Sequence, residues 1–280
     1  MQSKIFSAKL GKDFYQVGNR LVLSKEYLAK VKPKKITGTT LGELFDRNGA
    51  NQVKLWMKMF GIYKEPFDPI YSQVGQCIEP KLRDYYSTLT NIKYQSYDPS
   101  KIKWDVFKDF PIFGGIPDGE PLDANGKIDE QNNRMLEIKT ASIDSFVFNE
   151  TNGFYYMQKD ENGKPIIKMI NGKIPEWFQN NIIKIPENYL FQLNLYLYLR
   201  NATKGSFVVG FVPTDLYVKP QEFDVKTNKV CIVNCEQNRD LFAKYIEYAK
   251  KWYDTYITSG VSPALSQNDI NWLQKAYDNY

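Results

Sequence analysis

The residues best equipped for chemistry lie in two short stretches, Gly115-Ile-Pro-Asp118-Gly and Leu136-Glu137-Ile-Lys139. Side chains alternate along a strand, so Glu137 and Lys139 share one face while Leu136 and Ile138 share the other. If the two stretches pair as a hairpin, Asp118 comes to lie beside Glu137. Carboxylates a few ångström apart repel each other unless a cation lies between them. Hard oxygen donors select Mg²⁺ or Mn²⁺. Such an ion lowers the pKa of bound water and neutralises charge on a phosphate. Lys139, beside that water, would position it and stabilise developing negative charge. The same residues also describe a surface hairpin with an Asp in its turn and a solvated Glu/Lys pair. Glu-x-Lys alone is too common to decide between the two.

Two more stretches carry polar groups at suggestive places. Gly75-Gln-Cys-Ile-Glu79-Pro puts a carboxylate on a helix upstream of the hairpin, available as a third metal ligand or simply solvated. Gln192-Leu-Asn-Leu-Tyr196 puts an amide and a phenol at i and i+4 on one face of an apolar helix. Polar groups on such a face need partners, either in a site or from backbone in the core.

Composition excludes much else. With no histidine there is no Ser-His-Asp triad, no His-ligated zinc hydrolase and no histidine base. The three cysteines, Cys77, Cys231 and Cys235, cannot build a four-thiolate zinc site or a four-cysteine iron–sulfur cluster. Cys231 and Cys235 flank a strand-like stretch and read as small buried side chains; together the cysteines point to a reducing compartment. Lys+Arg 37 against Asp+Glu 32 gives +5, compatible with a polyanionic partner and equally with an ordinary soluble protein. The N-terminus has no apolar core of signal-peptide length. The greasiest run, Tyr189 to Leu199, is interrupted by Gln192 and Asn194 and is far shorter than a membrane span. A soluble, cytoplasmic protein without membrane contact is expected.

The elements that must position these residues are legible in outline. The 280 residues, 42% hydrophobic and 15% aromatic, suffice for a sizeable core, and no long linker divides them, so one α/β domain over 1–280 is expected. Residues 1–70 read as mostly helical. Thr40-Leu-Gly-Glu43 resembles a capping box and Gly49 a stop. Val53, Leu55, Trp56, Met59 and Phe60 follow at helical spacing up to Gly61. Val74, Ile78, Leu82, Tyr85 and Leu89 mark a helix, with Pro80 expected to kink or restart it and leave Glu79 at an irregular point. Ile92 to Ser96 and Pro111 to Ile116 read as strands, 123–133 as turns and Met135 to Thr140 as a strand pairing with 111–116. A second hairpin is expected over Tyr155 to Ile170, turning at Asn162-Gly163. A buried helix over Tyr189 to Arg200 follows, then strands Phe207 to Val212 and Val230 to Val233. A long amphipathic helix over Glu236 to Thr258, ending before Gly260, and a short one over Asn268 to Tyr277 close the chain. The whole is an α/β (α+β) sandwich. The catalytic core would occupy 71–212, with an insertion at 142–184 and C-terminal strands and helices over 213–280.

The ordered set Glu79, Asp118, Glu137-x-Lys139 and Gln192-x-x-x-Tyr196 resembles the PD-(D/E)XK nuclease superfamily. Within it, the chain is most similar to the phage lambda exonuclease or YqaJ-type viral recombinase branch, from about Lys32 to Leu199. Gly75 to Pro80, Ile36-Thr-Gly-Thr39 and Ile185-Pro-Glu-Asn-Tyr-Leu-Phe-Gln192 match motifs of that branch, whereas Ser142 to Lys184 matches none. The resemblance implies a restriction-endonuclease-like core, a central mixed β-sheet flanked by helices. It implies that Asp118, Glu137 and the Ile138 carbonyl bind Mg²⁺ or Mn²⁺, with Glu79 completing the site directly or through water. Lys139 would orient the attacking water, Gln192 would hold its helix against the site and Tyr196 would line it. Thr39 would contact the DNA 5′-phosphate. Lys32 is the nearest candidate for the preceding basic residue, usually an arginine, and lacks the bidentate fork. The implied activity is a 5′-to-3′ exonuclease on double-stranded DNA ends in recombination or repair. A restriction- or repair-type endonuclease, or a non-catalytic DNA-end-binding protein, is the competing reading on the same core. The resemblance also implies a homotrimer and a single-strand annealing protein as partner. On this reading EDTA abolishes DNA cleavage and Mg²⁺ or Mn²⁺, but not zinc, restores it; full cleavage in chelator would contradict it.

Overall fold

A computed structural model describes residues 5–45, 52–131, 134–152 and 154–277. A hairpin of β1 (Phe14–Val17) and β2 (Arg20–Leu23) precedes helices α1 (Lys25–Lys30), α2 (Gly38–Leu44), α3 (Gln52–Met59) and the long α4 (Pro69–Thr90). Short β3 (Tyr94–Gln95) and β4 (Glu120–Pro121) pair antiparallel and lead to β5 (Arg134–Ser142). The insertion holds β6 (Ser145–Phe146), β7 (Phe148–Thr151), β8 (Phe154–Met157), β9 (Ile167–Met169), the single-turn α5 (Ile174–Trp177), β10 (Phe178–Gln179) and β11 (Ile182–Ile183). The chain continues through α6 (Glu187–Leu199), β12 (Lys204–Val212), β13 (Val230–Glu236), α7 (Arg239–Trp252) and α8 (Gln267–Tyr277).

The central sheet is mixed and flanked by helices. β12 lies between β5, to which it is parallel, and β13, to which it is antiparallel. Its register sets Glu137 against Phe207 and Lys139 against Val209. Alternation sends Met135, Ala141, Phe207, Val209 and Phe211 into the large core with α6, while Leu136, Ile138, Val208 and Val212 pack with α4. Glu137 and Lys139 therefore point to the α6 side.

α4 begins where Asp68 accepts from the Ile70 amide at 3.0 Å and Pro69 occupies the first turn. It ends at Asn91 in the left-handed region, φ 55°. Ile70, Val74, Ile78, Leu82 and Tyr86 form its buried stripe. The stripe thus continues through Tyr86 rather than Tyr85, and Leu89 is exposed. The expected break at Pro80 is absent, and the helix runs through it without interruption. Pro80 lies on the exposed side. The apolar stripe, held against the sheet on both sides of it, outweighs the lost hydrogen bond.

Other expectations shift by a few residues. The capping box of α2 is built by Thr37 with Thr40, one turn upstream of the expected pair, because Gly38 and Thr39 already belong to the helix. Gly49 lies outside the described residues. Residues 111–116 form no strand: only Phe113 makes a bridge, to Ile36. Prolines at 111 and 117 lack donors, and Phe113 is used as a core side chain. The hairpin with β5 instead starts at Gly119, bridged to Leu136. In the insertion the turn at Asn162-Gly163 forms, with Asp160 Oδ1 accepting from the Asn162 and Lys164 amides at 2.9 Å. The larger hairpin is β7–β8, turning at Asn152. Cys231 and Cys235 are half-buried on β13, not buried. α7 continues into a π-helical segment, Tyr253–Thr258, before Gly260. There Trp56 Nε1 donates to the Tyr256 carbonyl at 2.9 Å and joins the C-terminal helices to α3. Among the described residues, no helix is long and apolar enough to cross a membrane.

Pro80→Ala returns a backbone donor to the α4 interior at the expense of proline's stiffening of the unfolded chain. A net gain of about 1–2 kcal/mol is expected, read as a higher urea midpoint. A lower midpoint would show that the helix depends on the ring.

Candidate active site

Asp118 and Glu137 are brought together by the ladder that starts one residue later. The Gly119 amide donates to the Leu136 carbonyl at 3.1 Å and the Leu136 amide to the Gly119 carbonyl at 2.9 Å. Asp118 Oδ2 then accepts from the Ile138 amide at 2.7 Å. It is thus the Ile138 amide that the structure ties to this carboxylate.

Glu137 is fully buried. Its Oε1 accepts from Lys139 Nζ at 2.6 Å, while its Oε2 is buried with no hydrogen-bond partner. Burial, and then the Asp118 charge, push Glu137 well above the usual carboxylate range, with Lys139 acting against them. Burial works to lower the Lys139 pKa, but the Glu137 and Asp118 carboxylates outweigh it and raise it overall. Lys139 is therefore a fixed cation. Its ammonium also donates to Gln192 Oε1 at 3.2 Å and lies 4.8 Å from the Tyr189 ring centroid.

α6 delivers the next two groups. Gln192 sits where α2 crosses α6: a Cβ at Gly38 would lie 2.5 Å from Gln192 Cγ, so only glycine admits this approach. Tyr196 is buried and stacks on Phe107 at 5.7 Å. A Cβ at Gly115, φ 138°, would lie 2.7 Å from its hydroxyl. Burial first, then Glu137 and Asp118, raise the Tyr196 pKa, so it remains a neutral phenol.

Glu79 reaches the site from α4. Arg83, one turn on, pairs with Glu79 Oε1 and also donates from Nε to the Asp118 carbonyl at 3.1 Å. Burial, then Asp118, raise the Glu79 pKa, opposed by Arg83 and Lys139. The i,i+4 spacing of Glu79 and Arg83 was visible in the sequence, yet sequence reasoning passed Arg83 over. It also missed the clamp behind the site. Glu120, fully buried, takes Arg200 Nε at 2.6 Å and Nη2 at 3.0 Å and accepts from the Tyr97 hydroxyl. Only long-range contact reveals that pair.

Asp118, Glu137, Lys139, Gln192, Tyr196 and Glu79 are thus linked in one network. Thr39 and Lys32 are not: both are exposed, and no hydrogen bond or ion pair among the described residues joins them to the carboxylates. Thr39 does neighbour Gly38, and so lies next to the α2–α6 crossing. Lys35, beside Lys32 and Lys34 in the basic turn, is committed elsewhere, to Asp105 Oδ2 at 2.7 Å and the Phe107 carbonyl at 3.0 Å.

A hard divalent cation suits the donors present. The orphaned Glu137 Oε2, facing a second carboxylate at Asp118, is a buried acceptor that such an ion would satisfy. Glu79 does not complete a ready-made shell, because among the described residues no three His, Cys, Asp or Glu side chains stand close enough together to hold a metal. Its carboxylate is turned to Arg83 instead.

A family model described as a YqaJ-like viral recombinase domain matches residues 27–203. The chain is 42% identical over 268 residues to "Uncharacterized protein MG373" of Mycoplasma genitalium, covering 94% of this chain and 95% of that one. It matches the Mycoplasma pneumoniae homolog at the same identity and coverage. An alkaline exonuclease (LHK-Exo) from Laribacter hongkongensis superposes with a TM-score of 0.46 and 13% identity, over 91% of this chain and 99% of that chain.

Removing the Lys139 charge leaves Glu137 buried without its partner. Lys139→Ala should cost about 3 kcal/mol, the low end for a broken buried pair because Glu137 takes up a proton instead. Adding Glu137→Gln should recover about half of that loss. A denaturant titration in which the single and double variants match the parent would show that the pair carries no stability.

Proposed function

The chain belongs to the YqaJ-like viral recombinase domain family, and we propose that it is a metal-dependent DNA nuclease that hydrolyses phosphodiester bonds at Asp118, Glu137 and Lys139. The observation that carries the reading is the buried Glu137: its Oε2 has no partner, Asp118 stands beside it and Lys139 neutralises only its other oxygen. A buried carboxylate oxygen left without a partner beside a second carboxylate is an acceptor that a hard divalent cation would satisfy.

Asp118 and Glu137 would hold the ion, with the Ile138 carbonyl and, once released from Arg83, Glu79 completing the set. Mg²⁺ or Mn²⁺ bound there would supply Lewis-acid charge for the phosphate and a more acidic water. The protein's own groups do the rest. Lys139, kept protonated by Glu137, is a donor rather than a base, so it orients water and stabilises negative charge on the phosphate. Gln192 fixes the ammonium from α6 and thereby sets its direction. Tyr196, a neutral phenol, offers a hydrogen bond without adding charge. The Ile138 amide holds Asp118 in one orientation.

The finer reading is a 5′-to-3′ exonuclease on double-stranded DNA ends, serving recombination or repair as a homotrimer with a single-strand annealing partner. Its support is the motif order and the family membership. In this reading Thr39, exposed in the first turn of α2, donates to a terminal 5′-phosphate and Lys32 supplies charge. Purified protein with Mg²⁺ should degrade linear 5′-phosphorylated duplex and spare covalently closed circles. Rapid nicking of the circles would make it an endonuclease on the same core, and no cleavage of either would remove the nuclease reading.

A further inference from the structure

A cleft of 270 Å³ opens beside Lys139, between α4, the end of β5 and the insertion that matches no motif. Tyr71, Thr140, Ser142, Phe148, Trp177 and Tyr189 are among its walls. Two features connect it to the carboxylates. The Tyr189 ring belongs to both places: Lys139 Nζ lies 4.8 Å from its centroid, and Trp177 stacks on it at 5.6 Å with planes 22° apart. Gly75, one turn before Glu79, meets Thr140 without a side chain, and even a Cβ there would lie 3.7 Å from Thr140 Oγ1. α4 therefore faces Thr140 at this turn, and Glu79 follows one turn on.

The charged groups lining the cleft are already engaged with one another or with the fold. Lys173 Nζ pairs with Glu176 at 2.6 Å. Asp144 accepts from the Asn171 amide at 2.9 Å and from the Thr214 hydroxyl. What remains is aromatic surface with the hydroxyl of Thr140, since the Ser142 hydroxyl donates to the Asp144 carbonyl at 2.6 Å. Such a cleft offers a phosphate no unpaired cation among the described residues and suits a flat, uncharged ring with polar edges. Phe148, 44% exposed at the start of β7, is the most exposed aromatic side chain of the lining. Tyr71 and Phe146 both pack edge-on against Tyr217, at 6.0 and 5.1 Å, which fixes the opposite wall.

We infer that this cleft is a base-binding subsite, receiving an unpaired nucleobase of the strand whose phosphate lies at Glu137 and Lys139. The inference rests on the nuclease reading for the identity of that strand. The insertion then has a role: it turns a bare metal site into one that grips a base beside the cut. Stacking of this kind tolerates any base, because every base has a π-face.

The test uses a duplex oligonucleotide with 2-aminopurine at its terminal nucleotides and phosphorothioates at the terminal linkages to slow cutting. Stacking quenches 2-aminopurine. The full-length protein should quench the terminal probe severalfold and leave a probe in the middle of the duplex unchanged. Phe148→Ala should restore most of the fluorescence and raise KM on unmodified DNA about tenfold, with a much smaller change in kcat. Phe148→Tyr, which keeps the ring, should retain the quench. Ile182→Ala, exposed and outside the cleft, should behave as the parent. An unquenched probe with a protein that cuts DNA overturns the subsite and leaves the nuclease reading standing. Quenching that Phe148→Ala removes, in a protein that cuts no DNA, upholds the subsite and removes that reading. Quenching and KM unaltered in Phe148→Ala overturn the subsite.

Discussion

A carboxylate with no access to water, Glu137, is held 2.6 Å from the ammonium of Lys139, two residues along the same strand. Taking each charge out of water costs several kcal/mol, and their attraction repays this only with good geometry and additional hydrogen bonds. The strand supplies the geometry, because i and i+2 share a face. It cannot supply the additional bonds. Those come from α6, where Gln192 accepts from Lys139, and from the Tyr189 ring. α6 must therefore pass over β5 at one height, and α2 must lie against α6 closely enough that Gly38 meets Gln192.

The Asp118 turn is gripped from two sides for the same reason. Its carboxylate accepts from the Ile138 amide, and its carbonyl accepts from Arg83 of α4. Behind it, Glu120 is clamped bidentately by Arg200 at the end of α6, while the Arg200 guanidinium lies 4.7 Å from the Phe107 ring centroid. Asp105 fixes the approach to the turn by accepting from the Phe107 and Gly115 amides at 2.9 and 3.1 Å. Burial opposes the Asp105 charge, but Lys35 and these amides hold its carboxyl below the usual range. Side chains from α4, β5, α6 and the loops thus converge on two neighbouring carboxylates. Such over-determination is what keeps like charges close.

The insertion differs in kind. Its tethers to the body are ion pairs such as Lys159 with Asp68 at 2.8 Å and Lys164 with Asp215, and partly exposed pairs of this sort contribute little stability each. Ile166, Met169, Ile170 and Ile182 remain exposed on it. Its firm anchors are Phe154, buried against Phe6 and Tyr63, Phe146 against Tyr217, and Trp177, buried against Tyr189 and Phe211. The Trp177 contact links the insertion to the helix carrying Gln192 and Tyr196.

Sequence by itself determined whatever depends on spacing along one element. The period of two put Glu137 and Lys139 together, the period of 3.6 put Gln192 over Tyr196, and the apolar stripes marked α4, α6 and α7. It also excluded histidine chemistry and any four-thiolate zinc or four-cysteine iron–sulfur site outright. Tertiary structure decided whatever depends on competition between elements. Pro80 should break a helix in isolation, but the buried stripe of α4 holds both sides of it against the sheet. Residues 111–116 have strand-like apolarity, but Phe113 is drawn into the core and Gly115 must admit the Tyr196 ring. The Glu120–Arg200 pair, eighty residues apart, has no local signature at all. Local periodicity records which face a residue takes, whereas long-range packing selects its neighbour, and no periodicity encodes that choice.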